Sequence, residues 1–250
     1  MSFRPCVLIP TYDNPATIER VVLRAREHLG DVIVVDDGSG SEGRAACASL
    51  ATRGLAHVVH RDRNGGKGAA VKTGLDAASA LGFSHALQID ADGQHDVDAM
   101  PEFLRAAEAA PSACVLGYPV YEGEVPAVRR RARAITKFWV DLEAGRGVIR
   151  DAMVGFRVYP VESIRALRVR SDRMDFDVEI AVRIAWAGIP IVNLPVGVRY
   201  LTAEEGGRSH FQPVRDNLRL GLLHSRLCTE ASMRFFFRLL GLRRLLGAGS

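Results

Sequence analysis

Two carboxylates one residue apart, Asp90 and Asp92, close a mostly apolar run, Ala86-Leu87-Gln88-Ile89, and lead into Gly93, Gln94 and His95. Side chains two apart on an extended backbone project to one face. Both carboxylates can therefore meet one divalent cation, with Gln94 and His95 on the turn behind them. A hard cation held by oxygens brings anionic phosphates with it. The same D-A-D-G also fits a plain solvated turn closing a strand, and the spacing alone does not separate the two.

Two more polar clusters follow apolar runs. Asp36-Asp37-Gly38-Ser39 comes after Val32-Ile33-Val34-Val35 and offers carboxylates that can accept hydrogen bonds from a base or ribose, with Gly38 permitting a tight turn. Asp37 or Ser39 could equally cap a helix. Asn64-Gly65-Gly66-Lys67-Gly68 has the look of a phosphate loop. It lacks Walker spacing and the Ser or Thr after lysine, however, and Gly66-x-Gly68 is not the dinucleotide fingerprint. Kinase and dehydrogenase readings thereby lose their main support. A nucleotide and a metal held by carboxylates at strand ends remain.

Such clusters need a scaffold that sets strand ends side by side. Cys6-Val7-Leu8-Ile9 running into Pro10-Thr11-Tyr12-Asp13-Asn14 predicts a buried first strand. Ile18, Val21, Val22, Ala25 and Leu29 put helical spacing on residues 16–29, and Gly30 stops that helix. Val32 to Val35 predicts a second strand, and continuous apolar strands joined by a helix mean parallel pairing through a right-handed crossover. The pattern continues with a helix near 42–53, a strand near 56–60, a helix over 69–81 and the Asp90/Asp92 strand. Beyond it come a helix over 97–110, a strand at 113–117, a loop over 118–126 and a helix bearing Arg129, Arg130, Arg131, Arg133 and Lys137. A helix opening at Phe176 and a last core strand over 190–200 follow. A charge run of this kind also fits an ordinary solvated helix face. Every polar cluster up to Asp92 follows a strand, where open α/β sheets bind ligands.

With 250 residues, 48% hydrophobic and 25% charged, the chain suits one large α/β domain or one domain with a small appendage. Cys6, Cys47, Cys114 and Cys228 form no C-x-x-C pair, which argues against a zinc site and a disulfide framework and for reduced thiols. No signal peptide opens the chain, and no uncharged apolar run reaches the roughly 18–20 residues that cross a bilayer. The expectation is a cytoplasmic protein, peripheral on the inner membrane face, with no nucleic-acid partner. Charge is unevenly placed: residues 206–250 carry eight arginines, no lysine and two acids, which implies an anionic partner near that end. From Ala231 onward, phenylalanines and leucines broken by arginines suit the headgroup boundary of an anionic membrane. A helix packed on the domain, or a dimer contact, is the alternative.

Taken together, P-T-Y-D-N at 10–14, V-D-D-G-S at 35–39, N-G-G-K-G-A-A at 64–70, D-A-D-G-Q-H at 90–95, G-F-R at 155–157 and G-R-S-H-F at 207–211 resemble glycosyltransferase family 2. They are most similar to its dolichyl-phosphate mannose synthase-like branch. The resemblance implies a GT-A fold: a Rossmann-like, mostly parallel sheet flanked by helices, with a C-terminal helical extension. It implies an inverting transfer of a hexose from a GDP- or UDP-linked nucleotide sugar to a lipid-linked acceptor such as a polyprenyl phosphate. The expected organisation is one domain over 1–229, with a nucleotide-binding half to about 96 and an acceptor half over 97–229, then an amphipathic basic tail over 230–250. By motif position, Pro10, Tyr12, Asp13 and Asp37 would hold the nucleoside, and Asp90, Asp92 and Gln94 would hold Mg²⁺ or Mn²⁺ on the diphosphate. Arg199 and His210 would meet diphosphate charge, and Lys67, Ala91 and Arg131 complete the expected donor-binding set. Two departures stand out: Asp13 where glutamate is commoner, and His210 where lysine is frequent, which would make phosphate binding sensitive to pH.

Breaking a sugar–phosphate bond develops negative charge on the departing nucleoside diphosphate, so a metal ion and cationic side chains there stabilise the transition state above the ground state. A phosphate acceptor is already ionised at neutral pH, whereas a hydroxyl needs a base. Asp151, Asp177 and Glu179 are candidate carboxylates for that task, with capping or ion pairing as the alternative, and Arg157 joins Asp90, Asp92, Asp151 and Glu179 in the expected catalytic set. Transfer to a hydroxyl of a polar lipid, glycan or secondary metabolite stays open. So does a sugar nucleotidyltransferase, although that activity expects a glycine-rich basic loop where this chain has P-T-Y-D-N. A non-catalytic binding module is disfavoured by the intact Asp90/Asp92 pair.

Overall fold

The computed structural model describes residues 2–121, 127–199 and 213–239. Its first half alternates strand and helix: β1 (Pro5–Thr11), α1 (Ile18–His28), β2 (Val32–Asp36), α2 (Ser41–Thr52), β3 (His57–His60), α3 (Lys67–Ala80) and β4 (His85–Gln88). Residues 6–9 are buried on both faces of the sheet, Cys6 and Leu8 in one core and Val7 and Ile9 in the other. That double burial explains a continuous apolar run where a one-sided strand would alternate. β1 pairs in parallel with β2 and β4, and β2 with β3, so Thr11, Asp36 and the turn after Gln88 open at one edge of the sheet.

The second half holds a 3₁₀ turn (Val97–Ala99), α4 (Met100–Ala109), β5 (Cys114–Tyr121), α5 (Ala127–Ala144), β6 (Arg157–Pro160), α6 (Val161–Arg165), α7 (Phe176–Trp186), β7 (Ile191–Val198) and α8 (Pro213–Leu239). The seven strands form one sheet in the order β3-β2-β1-β4-β6-β5-β7. β6 is antiparallel to both β4 and β5, while β5 and β7 are parallel. The sheet is thus mostly parallel and flanked by helices, with a C-terminal helix, as expected.

Two features depart from the sequence reading. β6, four residues ending in proline, carries no strand-length apolar run, and it exists because β4 and β5 each leave an edge that a short segment can pair on both sides. The loop expected from 118 is strand as far as Tyr121, since the whole of β5 is registered against β7. In addition, α8 runs unbroken across the expected 229/230 boundary. The four cysteines are free, and burial pushes the Cys6, Cys47 and Cys114 thiols up to about 12. Among the described residues no helix is long and apolar enough to cross a membrane.

Candidate active site

At the open strand edge a cavity of about 590 Å³ is lined from both halves of the chain. Pro10, Thr11, Tyr12 and Asn14 contribute the end of β1, Asp37 the end of β2, and Asn64, Gly66 and Lys67 the start of α3. Asp90, Ala91, Asp92, Gln94 and His95 come from the turn after β4. Arg129 and Arg133 of α5, Arg173, Asp177 of α7, and Arg215, Asp216 and Arg219 of α8 complete the wall.

Asp37 organises the glycine loop. Its carboxylate accepts from the N–H groups of Gly65 (3.0 Å) and Gly66 (2.6 Å) and lies 2.8 Å from Arg61 Nε. Gly38, at φ +73°, sits where a Cβ would strike the Arg63 and Asn64 backbone, so only glycine lets the two loops approach this closely. Asp36 lies beneath, accepting from Ser39 N–H at 3.0 Å and 2.8 Å from His60 Nδ1. Asp13 is not on the cavity wall: its backbone is in the left-handed region (φ 49°) and its carboxylate accepts from Gly40 N–H at 2.8 Å, tying the turn after β1 to the start of α2.

Lys67 is the charge centre. Its Nζ lies 2.7 Å and 2.9 Å from the two oxygens of Asp90 and 2.7 Å from Asp177 Oδ2. Burial would lower the lysine's pKa, but Asp177 and Asp90 raise it above the ordinary range. Burial likewise pushes Asp90 up, and Lys67 with His95 outweighs it, so Asp90 titrates below an ordinary carboxylate. Asp92 goes the other way, raised first by burial and then by the Asp90 charge. A Cβ on Gly155 would fall on both Asp90 oxygens and on Lys67 Nζ, so this glycine makes room for the pair. Thr17 Oγ1 donates to Ala91 C=O at 2.7 Å, Gln94 N–H donates to Asp92 Oδ1 at 3.0 Å, and Arg199 N–H donates to Gln94 C=O at 2.9 Å, which fixes the turn against α1 and β7.

The fit to a cation follows from this charge arrangement. Lys67 is shared by Asp90 and Asp177, and half-buried Asp92 beside them is raised in pKa first by burial and then by the Asp90 charge, which a divalent ion would relieve. Among the described residues no group of three or more His, Cys, Asp or Glu side chains is placed to hold a metal. The residues therefore suit an ion that takes its remaining oxygens from Gln94, water and substrate phosphates.

Other expected site residues lie elsewhere. Arg157 is fully buried and donates to the carbonyls of Val154, Ala152 and Asp177 at 2.8, 2.7 and 2.9 Å, so it braces the floor of the site without lining it. Asp151 pairs with Arg133 and accepts from the N–H groups of Met153 and Val154, one step behind the wall. Glu179 is set back from the cavity, sealed between Arg183 (2.6 Å) and Arg226 (2.6 Å), and accepts from Ser171 N–H. Arg131 points out from α5, and it is Arg129 and Arg133 that line the cavity. The Arg199 side chain is exposed beside the turn. His210 lies outside the described residues. The sequence reading omitted Arg173, Arg215 and Arg219 from the expected donor-binding set; the loop before α7 brings Arg173 against Gly66, and α8 brings Arg215 and Arg219 to the same cavity. Asp177, named there only as a candidate base, proves to be the second partner of Lys67.

Comparison with known proteins matches residues 6–168 to the family model of Glycosyl transferase family 2. The chain is similar to polyprenol monophosphomannose synthase of Mycolicibacterium smegmatis, 29% identical over 77% of this chain and 76% of that protein. It is also similar to undecaprenyl-phosphate mannosyltransferase of Micrococcus luteus, 28% identical over 77% of this chain and 82% of the other. Among solved structures, glucosyl-3-phosphoglycerate synthase of Mycobacterium tuberculosis, in complex with Mn²⁺, UDP-glucose and phosphoglyceric acid, superposes with a TM-score of 0.66 at 18% identity. That match covers 92% of this chain and 80% of that one, a likeness of fold.

Proposed function

The chain belongs to glycosyl transferase family 2 and is an enzyme that transfers sugar, and we propose that it moves a hexose, with inversion, from a GDP- or UDP-linked donor to a lipid-linked phosphate such as a polyprenyl phosphate. The observation that carries this reading is one cavity lined both by Asp90 and Asp92 and by five arginines, Arg129, Arg133, Arg173, Arg215 and Arg219. Carboxylates suit a cation and arginines suit phosphate oxygens, so the cavity is matched to a metal–diphosphate and to a second anion. The names of the two mannosyltransferase relatives support mannose and a polyprenyl phosphate as the pair to test first.

Asp90, Asp92 and Gln94 are the residues that would hold Mg²⁺ or Mn²⁺, which when bound supplies positive charge to the leaving diphosphate. Lys67 keeps Asp90 ionised and oriented for that role. The arginine wall stabilises the charge that grows on the diphosphate as the sugar–phosphate bond lengthens, which lowers the barrier because the interaction is stronger in the transition state. Pro10, Tyr12 and the Asp37-braced loop form the end of the cavity suited to the nucleoside.

The state of the other carboxylates favours a phosphate acceptor over a hydroxyl. Asp37, Asp90, Asp151, Asp177 and Asp216 are each paired with an arginine or lysine. A carboxylate engaged in an ion pair is not placed to take the proton of an acceptor hydroxyl, and a phosphate acceptor needs no such base. The test is transfer from GDP-mannose and from UDP-sugars to a polyprenyl phosphate and to the matching polyprenol. Product on the phosphate alone is expected; product on the alcohol alone would overturn the acceptor assignment.

A further inference from the structure

Resting on the metal-assisted transfer proposed above, we infer that Asp177 is a positioning residue for Asp90, the proposed cation ligand, and acts on it through Lys67. Lys67 Nζ bridges the two carboxylates, 2.7 Å and 2.9 Å from Asp90 Oδ1 and Oδ2 and 2.7 Å from Asp177 Oδ2. Behind Asp177 stands Arg157, whose Nη1 donates to the Asp177 carbonyl at 2.9 Å and lies 3.9 Å from Asp177 Oδ1. Charges therefore alternate along Arg157, Asp177, Lys67 and Asp90, from the floor of the site to its cavity wall. Asp90 Oδ1 is buried without a hydrogen bond, close as it is to Lys67. A buried acceptor left unbonded calls for a reason, and a cation on that oxygen supplies one.

This chain of charges resolves a conflict. A lysine against both oxygens of a carboxylate fixes its orientation but also repels any cation that the carboxylate is to hold. The Lys67 side chain is only 12% exposed, so little water screens that repulsion. Asp177, whose side chain is 5% exposed, balances the lysine's charge at 2.7 Å. Lys67 is then left to Asp90 as an orienting hydrogen-bond donor, in the way that an outer carboxylate steadies a ligand bound to a metal. Backbone and a second lysine hold the spacing. Ala69 N–H donates to Asp172 C=O at 2.9 Å, and Lys72 Nζ donates to the carbonyls of Val169 and Ser171 at 2.7 Å and 3.0 Å, which pins α3, at whose start Lys67 stands, to the segment leading into α7.

The test measures the Mn²⁺ affinity of the full chain, from the loss of the free ion's electron paramagnetic resonance signal, with neither donor nor acceptor present. Asp177→Asn leaves the lysine charge unbalanced and should weaken binding about 10–100-fold, the range for loss of a group that supports a metal ligand. In a Lys67→Met background the same change should cost about twofold or less, because no lysine charge is left to balance. Asp177→Glu, which keeps the charge, should restore most of the affinity that Asp177→Asn loses. A purely structural residue, or a general base, would not make the loss depend on Lys67. Melting of the metal-free proteins identifies a variant that does not fold. If Asp177→Asn is one, comparison of Lys67→Met with Lys67→Met/Asp177→Asn still decides, since that pair differs by the carboxylate alone and a large gap between them refutes the role. Three outcomes would overturn the inference: a wild type that binds no Mn²⁺, an Asp177→Asn protein of wild-type affinity, or an equal loss from Asp177→Asn with and without Lys67. The last two leave the transfer reading standing, because that reading is tested by product formation on the acceptor.

Discussion

Asp90 and Asp92 are the same side chain in the same turn, yet their surroundings push their pKa values in opposite directions. Lys67 sits on Asp90 and holds it down, while burial and the Asp90 charge hold Asp92 up. A carboxyl raised in the folded state contributes stability while protonated and loses it as pH rises through its folded pKa. Asp92→Asn should therefore leave the metal-free protein at least as thermally stable at neutral pH, because it removes one of two repelling charges. The same change should abolish stabilisation by Mn²⁺ and lower transfer by roughly 10²–10³-fold, the range for loss of one charge-stabilising group. A lowered melting temperature together with unchanged turnover would show that Asp92 serves the fold rather than the reaction.

At the scale of elements, the site depends on how α7 and α8 are locked behind it. Glu179 of α7 receives Arg183 from its own helix, Arg226 from α8 and the Ser171 N–H from the loop before it. Burial pushes this carboxyl up, but the Ser171 and Arg183 interactions outweigh it and bring it down to about 2 from 4.5. A group depressed in this way contributes stability above its unfolded pKa and loses it as pH falls through the folded one. The contribution, about 3 kcal/mol, is thus complete above about pH 5 and gone near pH 2. Glu179→Gln should cost about 3 kcal/mol in urea unfolding at pH 7, since it removes the buried charge shared by Arg226 and Arg183 and leaves Arg183 only Glu230. It should also flatten the acid limb of the stability profile between pH 5 and 2. A variant that unfolds like wild type at pH 7 would show that this network does not hold the two helices.

At the scale of the molecule, the cavity brings Asp37, Asp90 and Asp92 from the first half of the chain together with Arg129, Arg133, Arg173, Arg215 and Arg219 from the second, so a ligand filling it bridges both. Donor binding should then stabilise the whole fold by mass action. GDP or UDP with Mn²⁺ at a hundredfold excess over Kd should add about 2.7 kcal/mol, and chelation should remove most of it. A nucleotide shift that is indifferent to chelator would count against the cation.

Much of this was legible in the residues themselves. Buried parallel strands declare themselves as unbroken apolar runs, and the polar clusters that end them, V-D-D-G-S and D-A-D-G-Q-H, mark the ligand edge because backbone direction puts every such end on one side. The resemblance to glycosyltransferase family 2 drew on the same clusters and was borne out by the family match. Local spacing could not say which charged side chain meets which. Glu179 and Asp177 are two residues apart on α7, yet one is sealed between arginines behind the site and the other pairs with Lys67 inside it. Likewise Arg131 and Arg133 are neighbours in the sequence, but the helix turns one to solvent and the other to the cavity. β6 gave almost no signal, because a four-residue strand is defined by the two edges it fills rather than by its own composition. The sequence by itself determined the parallel strands of the sheet and the acidic clusters that end β2 and β4, since hydrophobic runs and strand-end turns are local properties. The tertiary structure alone decided the arginine wall and the charge balance at Lys67, since the first gathers residues from 129 to 219 and the second joins Lys67 to Asp177, separations over which local spacing carries no information.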